Sequence, residues 1–337
     1  MISEGQTGVV RRSWRELYAR SAGGRGGQPS RVLVVAAFAA VYLIWGSTYL
    51  AIRFAIQTLP PFLMGGCRFV IAGTTLVLWA RAKGVARPTR AELRSACVVG
   101  ALLFLGGNGG VVWSEQYVAS GAAALFVATE PLWIVLLGWA RRGGSRPTAG
   151  VFAGLLLGFA GVWLLVASGV SGGGAGARGL IATVALLGAS VSWAVGSLYS
   201  AHAPLPQSSL LSAGIQMLAG GVLMFATGTL AGEWKGFDPG AVSAVSVGAM
   251  LYLIVCGALV AFTAYSWLLR RVTPARAATY AYVNPLVAVF LGWALAGEQL
   301  TARTLLAASV ITASVVIIVT RRPAGKRRAT QTQVGVE

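Results

Sequence analysis

The sequence predicts an all-α membrane protein whose ten transmembrane helices form two inverted five-helix repeats. Composition, the length of the apolar runs and an internal repeat predict this class. Of the 337 residues, 56% are hydrophobic and only 11% are charged, which is too little charge to cover a soluble domain. Runs such as 31–52 and 304–320 are long enough, or nearly so, to cross a hydrocarbon core of about 30 Å as helices.

Ten apolar runs mark the predicted transmembrane helices. Loop-forming prolines and glycines separate them, for example Pro60-Pro61, SGGGAGARG at 171–179 and FDPG at 237–240. In chain order the predicted spans cover residues 32–56, 62–80, 95–114, 118–140, 149–168, 179–200, 208–231, 242–269, 276–296 and 303–320.

The distribution of basic residues predicts the orientation of these spans. The net charge is +18, and with a cytoplasmic N-terminus 22 of the 27 basic residues fall in inside segments and 3 in outside loops. This is the positive-inside pattern, so the basicity indicates topology and not a nucleic-acid partner. We predict a multi-pass protein of a bacterial inner membrane with both basic tails, 1–31 and 321–337, in the cytoplasm. Residues 9–18 fit either a helix on the cytoplasmic leaflet or a disordered segment.

The chain repeats itself. PLWIVLLGWA at 131–140 returns after 154 residues as PLVAVFLGWA at 285–294, and further upstream the best offset is 148. Spans 1–5, residues 32–168, therefore repeat as spans 6–10, residues 179–320. Since five is odd, the second copy enters from the opposite side, as in the inverted repeats of secondary transporters; a duplicated scaffold without transport is the alternative. Matched pairs include Trp113 and Trp267, Val118 and Val272, Trp45 and Trp193, Gly66 and Gly214, Arg68 and Gln216, and Gly73 and Gly221.

Three stretches resemble the EamA repeats of the drug/metabolite transporter superfamily. They are YLIWGSTYLAIRFAIQTLPPFLMGGCRFVIAG (42–73), GGNGGVVWSEQYVASGAAALFVATEPLW (106–133) and PARAATYAYVNPLVAVFLGWALAGEQLT (274–301). The resemblance covers both repeats, about 32–320. It implies ten helices and alternating-access movement of small metabolites, typically the export of amino acids or toxic compounds, and it does not identify the solute.

Glu130 is the most informative single residue, because it alone among the nine acids falls near the middle of a predicted span. A charged group there costs roughly 2.5–3.5 kcal/mol, so it is expected to face the interior or to be protonated. Pro131 frees a backbone carbonyl that would line a cavity. The repeat mates are Asn284 and Pro285, so an acid and an amide would face each other across the pseudo-two-fold axis, and both prolines are expected to break their helices. Glu130 is predicted to contact the solute or accept a proton; the alternative is that it locks helix packing.

Two arginines also fall within predicted spans. Arg68 lies about two turns into span 2. There it either snorkels to the headgroups or faces the cavity, paired with Glu130 or an anionic solute. Its repeat mate, Gln216, is a second candidate for solute contact. Arg53, at the outer end of span 1, is predicted to be a snorkelling anchor.

Aromatic and hydroxyl side chains occur at matching places in spans 1 and 6. Trp45, Ser47 and Thr48 of span 1 correspond to Trp193 and Ser197 of span 6. Such a set suits a mostly apolar pocket with a few orienting groups. The alternative is that the tryptophans only pack between helices.

The segment GGNGG at 106–110 predicts a close approach between helices around the polar Asn108. Phe262 occupies the corresponding place in the second repeat. This asymmetry favours a functional role for Asn108, with helix packing as the alternative. Weaker candidates for solute contact are Tyr265, Tyr280 and Tyr282.

The sequence offers no pattern for an enzyme. An intramembrane enzyme needs paired acids or a metal cluster within its spans, whereas the single histidine, His202, lies in a predicted cytoplasmic loop. No cofactor or metal is expected. We predict a secondary transporter that exports a small amino acid-like, amphipathic or toxic metabolite, with a passive channel or an uptake carrier as the alternative. The expected partners are the solute, the lipid bilayer and, as a candidate coupling ion, the proton.

Overall fold

A computed structural model of the protein describes residues 31–140, 146–167, 177–268 and 279–320. The chain divides into two compact units, Met1–Ala36 and Ala37–Glu337. The described part of the first unit is helical, and the second unit contains the helices that follow. The tail segment 9–18, with its two alternatives, lies outside the described residues.

The described residues form ten apolar helices and no β-strand. Nine are long and apolar enough to cross a membrane, and the tenth contains the shorter apolar stretch Val283–Ala296. The predicted all-α membrane fold is therefore confirmed. The helices are α1 (Arg31–Ala55), α2 (Pro61–Ala82), α3 (Arg90–Ser114), α4 (Ser120–Ala140), α5 (Ala149–Ala167), α6 (Ala177–Ser200), α7 (Ser209–Leu230), α8 (Ala244–Tyr252, continued by Leu253–Val260 and Ala261–Leu268), α9 (Tyr280–Ala296) and α10 (Ala302–Thr320).

Short polar signals in the sequence set several helix ends. Thr89 and Glu92 form a capping box at the start of α3, in which Thr89 Oγ1 accepts a bond from the Glu92 amide and Glu92 Oε2 accepts one from the Thr89 amide. Ser208 caps α7 through the amide of Leu211. Gly297 ends α9 with φ +64°, a left-handed conformation that glycine adopts without strain.

Helices of one repeat pack against their mates in the other. At the α2–α7 contact, glycines matched by the repeat face each other crosswise: a Cβ on Gly73 would lie 2.7 Å from the Gly214 carbonyl oxygen, and a Cβ on Gly221 would lie 3.0 Å from the Gly66 carbonyl oxygen. The pairs α4–α9 and α5–α10 also pack together. This crosswise pattern is what a two-fold axis between the repeats requires, and the small residues allow the backbones to approach closely.

Two helices contain π-helical segments at corresponding places in the repeats. They are Ala101–Gly109 in α3 and Leu253–Val260 in α8. Sequence patterning did not predict them. The glycines of the α3 segment contact α6 closely, as predicted: a Cβ on Gly106 would lie 2.1 Å from Ser192 Oγ, and a Cβ on Gly107 would lie 2.7 Å from Trp193 Cε3.

Candidate functional site

Glu130 begins the second half of α4, directly after a break in the helix. α4 consists of Ser120–Val127 and Glu130–Ala140, with a turn between them. Pro131 has no amide hydrogen and its ring clashes with the carbonyl one turn earlier, so a regular helix cannot pass through this point. The sequence therefore sets the break, and the break places the only mid-span acid at a helix start.

The carbonyl of Phe126, next to this break, is satisfied by hydroxyl groups. Thr129 Oγ1 donates to it at 2.6 Å, and Ser190 Oγ of α6 donates to it at 3.0 Å. Thr129 Oγ1 in turn accepts a bond from Trp133 Nε1 at 3.2 Å. Since the Thr129 amide also donates to the Phe126 carbonyl, at 3.1 Å, this carbonyl is fully bonded beside the break, inside the bundle. Neither Thr129 nor Ser190 was predicted from the sequence, since a single hydroxyl in an apolar span carries no signal of its own.

The Glu130 carboxylate has weak polar contacts. Ser197 Oγ of α6 donates to Glu130 Oε1 at 3.5 Å, at the limit of a hydrogen bond. The charge of Glu130 also acts on the phenol groups of Tyr49, Tyr265 and Tyr280. Within the described part of the chain no arginine or lysine forms a salt bridge with it. Glu130 is thus a partly buried acid among hydroxyl groups, without a counter-ion.

Three aromatic rings from both repeats pack beside this acid. The ring centroids of Trp45 and Tyr280 are 5.0 Å apart, those of Trp45 and Tyr265 are 5.2 Å apart, and those of the two tyrosines are 5.5 Å apart. Trp45 Nε1 donates to the carbonyl of Gly257, in the π-helical segment of α8, at 3.1 Å. The side chain of Tyr282, also a predicted contact, lies outside the described residues.

Arg68 faces the protein interior and does not snorkel. It is 5% exposed, its guanidinium lies 4.5 Å from the centroid of the Phe69 ring, and a Cβ on Gly257 would lie 3.4 Å from its Nη2. Its Nε and Nη1 have no hydrogen-bond partner among the described residues. Glu115, a buried acid at the end of α3, is the acid within electrostatic reach of Arg68, and no salt bridge joins Arg68 to Glu130 among the described residues. The predicted pairing of Arg68 with Glu130 is therefore not formed in this conformation.

Arg53, predicted to be a snorkelling anchor, forms a salt bridge at the end of α1. Its Nη1 lies 3.3 Å from Oε1 of Glu298, the residue that follows the left-handed Gly297 at the end of α9. The salt bridge brings together residues that are 245 positions apart, from 53 to 298. A pairing over such a distance leaves no trace in local sequence patterns.

Three other predicted residues contact groups other than the Glu130 carboxylate. Asn108 Nδ2 donates to the Leu103 carbonyl in its own helix at 3.4 Å. Gln216 Nε2 donates to Ser212 Oγ at 2.9 Å. Trp193 packs against Phe104 at a centroid distance of 6.5 Å.

Ser47 and Thr48 point in different directions. Thr48 Oγ1 bonds to the Trp45 carbonyl at 2.5 Å, and its methyl group lies near Gly257, on the side of Arg68. Ser47 Oγ shares a 2.7 Å hydrogen bond with the Tyr252 hydroxyl. Ser47 lines a groove of about 530 Å³ whose walls include exposed apolar side chains, so it lies on the outer side of α1.

Asn284 and Pro285 differ from their repeat mates. Asn284 Nδ2 donates to the carbonyls of Tyr280 at 3.3 Å and Tyr42 at 3.2 Å, which ties α9 to α1. Pro285 lies inside the continuous helix α9, so the prediction of a helix break there is wrong. The reason is its position: α9 begins at Tyr280, so little more than one turn precedes the proline and its clash is confined to the Ala281 carbonyl.

The fold and the site define a class: a helical membrane protein of two cross-packed repeats with an acid at a helix break. The sequence pattern of the EamA-like transporter family matches residues 32–167 and 180–320, and the chain belongs to this family. It is a multi-pass membrane transporter.

Individual relatives cover more than four fifths of the chain. The uncharacterized inner membrane transporter YedA of Escherichia coli strain K12 is 39% identical over 281 residues, 83% of this chain and 88% of that protein. A probable amino-acid metabolite efflux pump of Salmonella typhimurium is 25% identical over 287 residues, 82% of this chain and 91% of that protein. A solved crystal structure covers 85% of this chain and 97% of its own with a TM-score of 0.58; at 21% identity it supports the fold alone.

Proposed function

We propose that this transporter is an alternating-access carrier that exports a small amino acid-like or amphipathic metabolite across a bacterial inner membrane, with Glu130 as its proton-coupling residue. The observation that carries the proposal is the placement of Glu130: a carboxyl group at a helix break, beside Trp45, Tyr265 and Tyr280, with no counter-ion among the described residues. A carboxyl group in such surroundings takes up a proton or pairs with a cationic group of a solute.

The position of Glu130 suits an exchange between a proton and the cationic group of a solute. α4 belongs to the first repeat, Ser197 of α6 and Tyr265 of α8 belong to the second, and Trp45 of α1 completes the surroundings. When one repeat moves against the other, the side chains around Glu130 change. A proton and a solute that compete for one carboxylate are then carried in opposite directions.

The solute class rests on weaker support. The aromatic side chains offer apolar area, while Glu130 and Arg68 offer one negative and one positive group in the bundle interior. An amino acid-like solute has both charges and an apolar side chain. The relative from Salmonella typhimurium, named as a probable amino-acid metabolite efflux pump, supports the same class.

The test uses purified protein in proteoliposomes and a panel of the twenty radiolabelled amino acids together with amphipathic dyes. We expect an imposed pH difference to concentrate at least one panel member in the wild type. Glu130→Gln retains the shape of the protonated acid and cannot release a proton. It should still exchange that compound across the vesicle but fail to concentrate it.

Two comparisons make the result decisive. Glu92→Gln, in the exposed capping box of α3, removes an acid outside the site and should accumulate solute as the wild type does. Full pH-driven accumulation by Glu130→Gln would exclude the coupling role, and equal flux with and without a gradient in the wild type would indicate a channel.

Orientation has its own test. Reporter fusions after residues 174 and 236 should read outside the cytoplasm, and fusions after residues 144 and 325 should read cytoplasmic. A cytoplasmic signal at residue 236 would contradict the proposed topology.

A further inference from the structure

At one end of the bundle, a carboxylate of the second repeat binds the start of a helix of the first. Oε1 of Glu298, beyond the end of α9, accepts bonds from the amide and the hydroxyl of Ser120, both at 2.7 Å, and Oε2 accepts one from the Gly121 amide at 3.0 Å. The start of a helix leaves amide hydrogens free and carries the positive end of the helix dipole. The contact is therefore a charge-assisted helix cap that joins α9 to α4.

The backbone around this carboxylate is shaped to hold it. Gly297, at φ +64°, turns the chain back, and the Glu298 amide bonds to the Gly292 carbonyl at 3.0 Å. A Cβ on Gly292 would lie 2.4 Å from Glu298 Oε2, and a Cβ on Gly121 would lie 3.0 Å from the Val289 Cα. Two glycines thus leave the space that the carboxylate occupies.

Arg53 attaches a third helix to the same carboxylate. The guanidinium of Arg53, at the end of α1, lies 3.3 Å from Glu298 Oε1, and its side chain is 36% exposed, whereas that of Glu298 is 9% exposed. The half-exposed ion pair contributes less than the buried hydrogen bonds to the helix start. Glu298 is the shared partner of α1, α4 and α9.

We propose that Glu298 holds the extracytoplasmic gate of the carrier closed and that its release opens the solute path on that side. It is a positioning residue for the alternating-access cycle, and the assignment rests on the function and orientation proposed above. Opening must separate α9 from the start of α4, which breaks all three bonds from Ser120 and Gly121 together. A neutral side chain at residue 298 weakens these bonds, so it favours the open form.

A second carboxylate provides a matched comparison. Glu233, after the end of α7, accepts bonds from the amides of Phe62 at 3.1 Å and Leu63 at 2.9 Å, at the start of α2. Like Glu298, Glu233 is a carboxylate that caps the start of a helix, and it lies at the same end of the bundle. The α2–α7 contact, however, is closed along its length by glycines such as Gly73 and Gly214. Loss of the Glu233 cap should lower thermal stability without opening this contact.

The test measures access to a buried position just inside the cap. Ala122 is 3% exposed, and Ala122→Cys in a background with Cys67, Cys97 and Cys256 replaced by serine supplies a single thiol. A membrane-impermeant thiol reagent is applied to the extracytoplasmic face.

We expect Glu298→Gln to raise the labelling rate of this thiol about tenfold, the effect of one charge-assisted hydrogen bond. Arg53→Gln should raise it about twofold, and Glu233→Gln should leave it unchanged.

The assignment is overturned if folded Glu298→Gln labels at the parent rate, or if Glu233→Gln accelerates labelling as much as Glu298→Gln. If Glu298→Gln does not fold, a second variant replaces it. Ser120→Ala removes one of the three bonds and should raise the labelling rate about threefold. Labelling at the parent rate in both Ser120→Ala and Arg53→Gln then overturns the gate assignment. Labelling needs no transported solute, so failure of the gate and failure of the carrier proposal are separate results.

Discussion

The first repeat carries an acid at a broken helix where the second carries an amide in a continuous one. In α4 the Phe126 carbonyl accepts bonds from the hydroxyls of Thr129 and Ser190, and the Glu130 carboxylate has only a 3.5 Å contact with Ser197. In α9 the Asn284 amide is itself used to bond two carbonyls. The prolines that follow both residues, Pro131 and Pro285, are the same. The comparison teaches that the duplicated sequence supplies the same element twice. The residue before the proline decides whether its side chain bonds the backbone, as in α9, or is available to bind a proton or a solute, as in α4.

At the contact between α2 and α7 the two repeats behave alike. Gly66 and Gly73 of α2 face Gly221 and Gly214 of α7 at similar distances, and both repeats have a π-helical segment in the helix that follows α2 or α7. These symmetric glycines form part of the contact between the repeats, while the repeats differ at 130 and 284, at 68 and 216, and at 108 and 262. Four substitutions test this division: the first changes transport tenfold, and the other three change stability, from the largest expected effect to the smallest.

Pro131→Ala should reduce transport per folded protein about tenfold, equivalent to about 1.4 kcal/mol of activation free energy. The alanine restores an amide hydrogen and allows α4 to close into a regular helix, which moves Glu130. Pro285→Ala is the matched control, and it should have a much smaller effect because α9 is already continuous. Equal losses in the two variants, measured with the compound identified by the proteoliposome panel, would remove the functional asymmetry.

Asn284→Asp should lower the free energy of unfolding by about 3 kcal/mol. A carboxylate cannot donate, so the carbonyls of Tyr280 and Tyr42 lose their partner and a new acid is buried. Asn108→Asp is the control, because that amide makes a single weak bond in its own helix. Thermal melting in detergent measures both variants, and a larger loss for Asn108→Asp would contradict the structural role of Asn284.

Gly73→Ala should cost about 2 kcal/mol, because its Cβ would lie 2.5 Å from the Leu218 backbone nitrogen in α7. Gly221→Ala should cost about the same, since the repeats are equivalent here. Gly248→Ala is the control, with no atom within 4 Å of the new Cβ. Melting temperatures that fall for only one of the two interface glycines would show that the α2–α7 contact is not symmetric.

Ser190→Ala should cost about 1 kcal/mol, the net value of one buried hydrogen bond, because Thr129 still bonds the Phe126 carbonyl. Ser309→Ala, which removes an exposed bond within α10, should change the melting temperature little. No difference between the two variants would mean that the helix break does not depend on α6.

Much of the fold could be predicted from the sequence. The spans, the two repeats and the close approach at Gly106 and Gly107 follow from apolar length, self-similarity and small residues, all of which are local or periodic signals. The π-helical segments, the packing of the Arg68 guanidinium against Phe69 and the Glu298 cap were not predicted. These features depend on where distant helices place their atoms.

The sequence by itself determined that this is a helical membrane protein of two repeats, because the bilayer requires helices of a given length and allows few charges. It also singled out Glu130, since an acid in the middle of a span is costly. Only the tertiary structure decided the partners of that acid, the difference between Pro131 and Pro285, and the role of Arg53. Hydrogen bonds and ion pairs act over about 3 Å, and only folding brings residues from separate repeats within that distance.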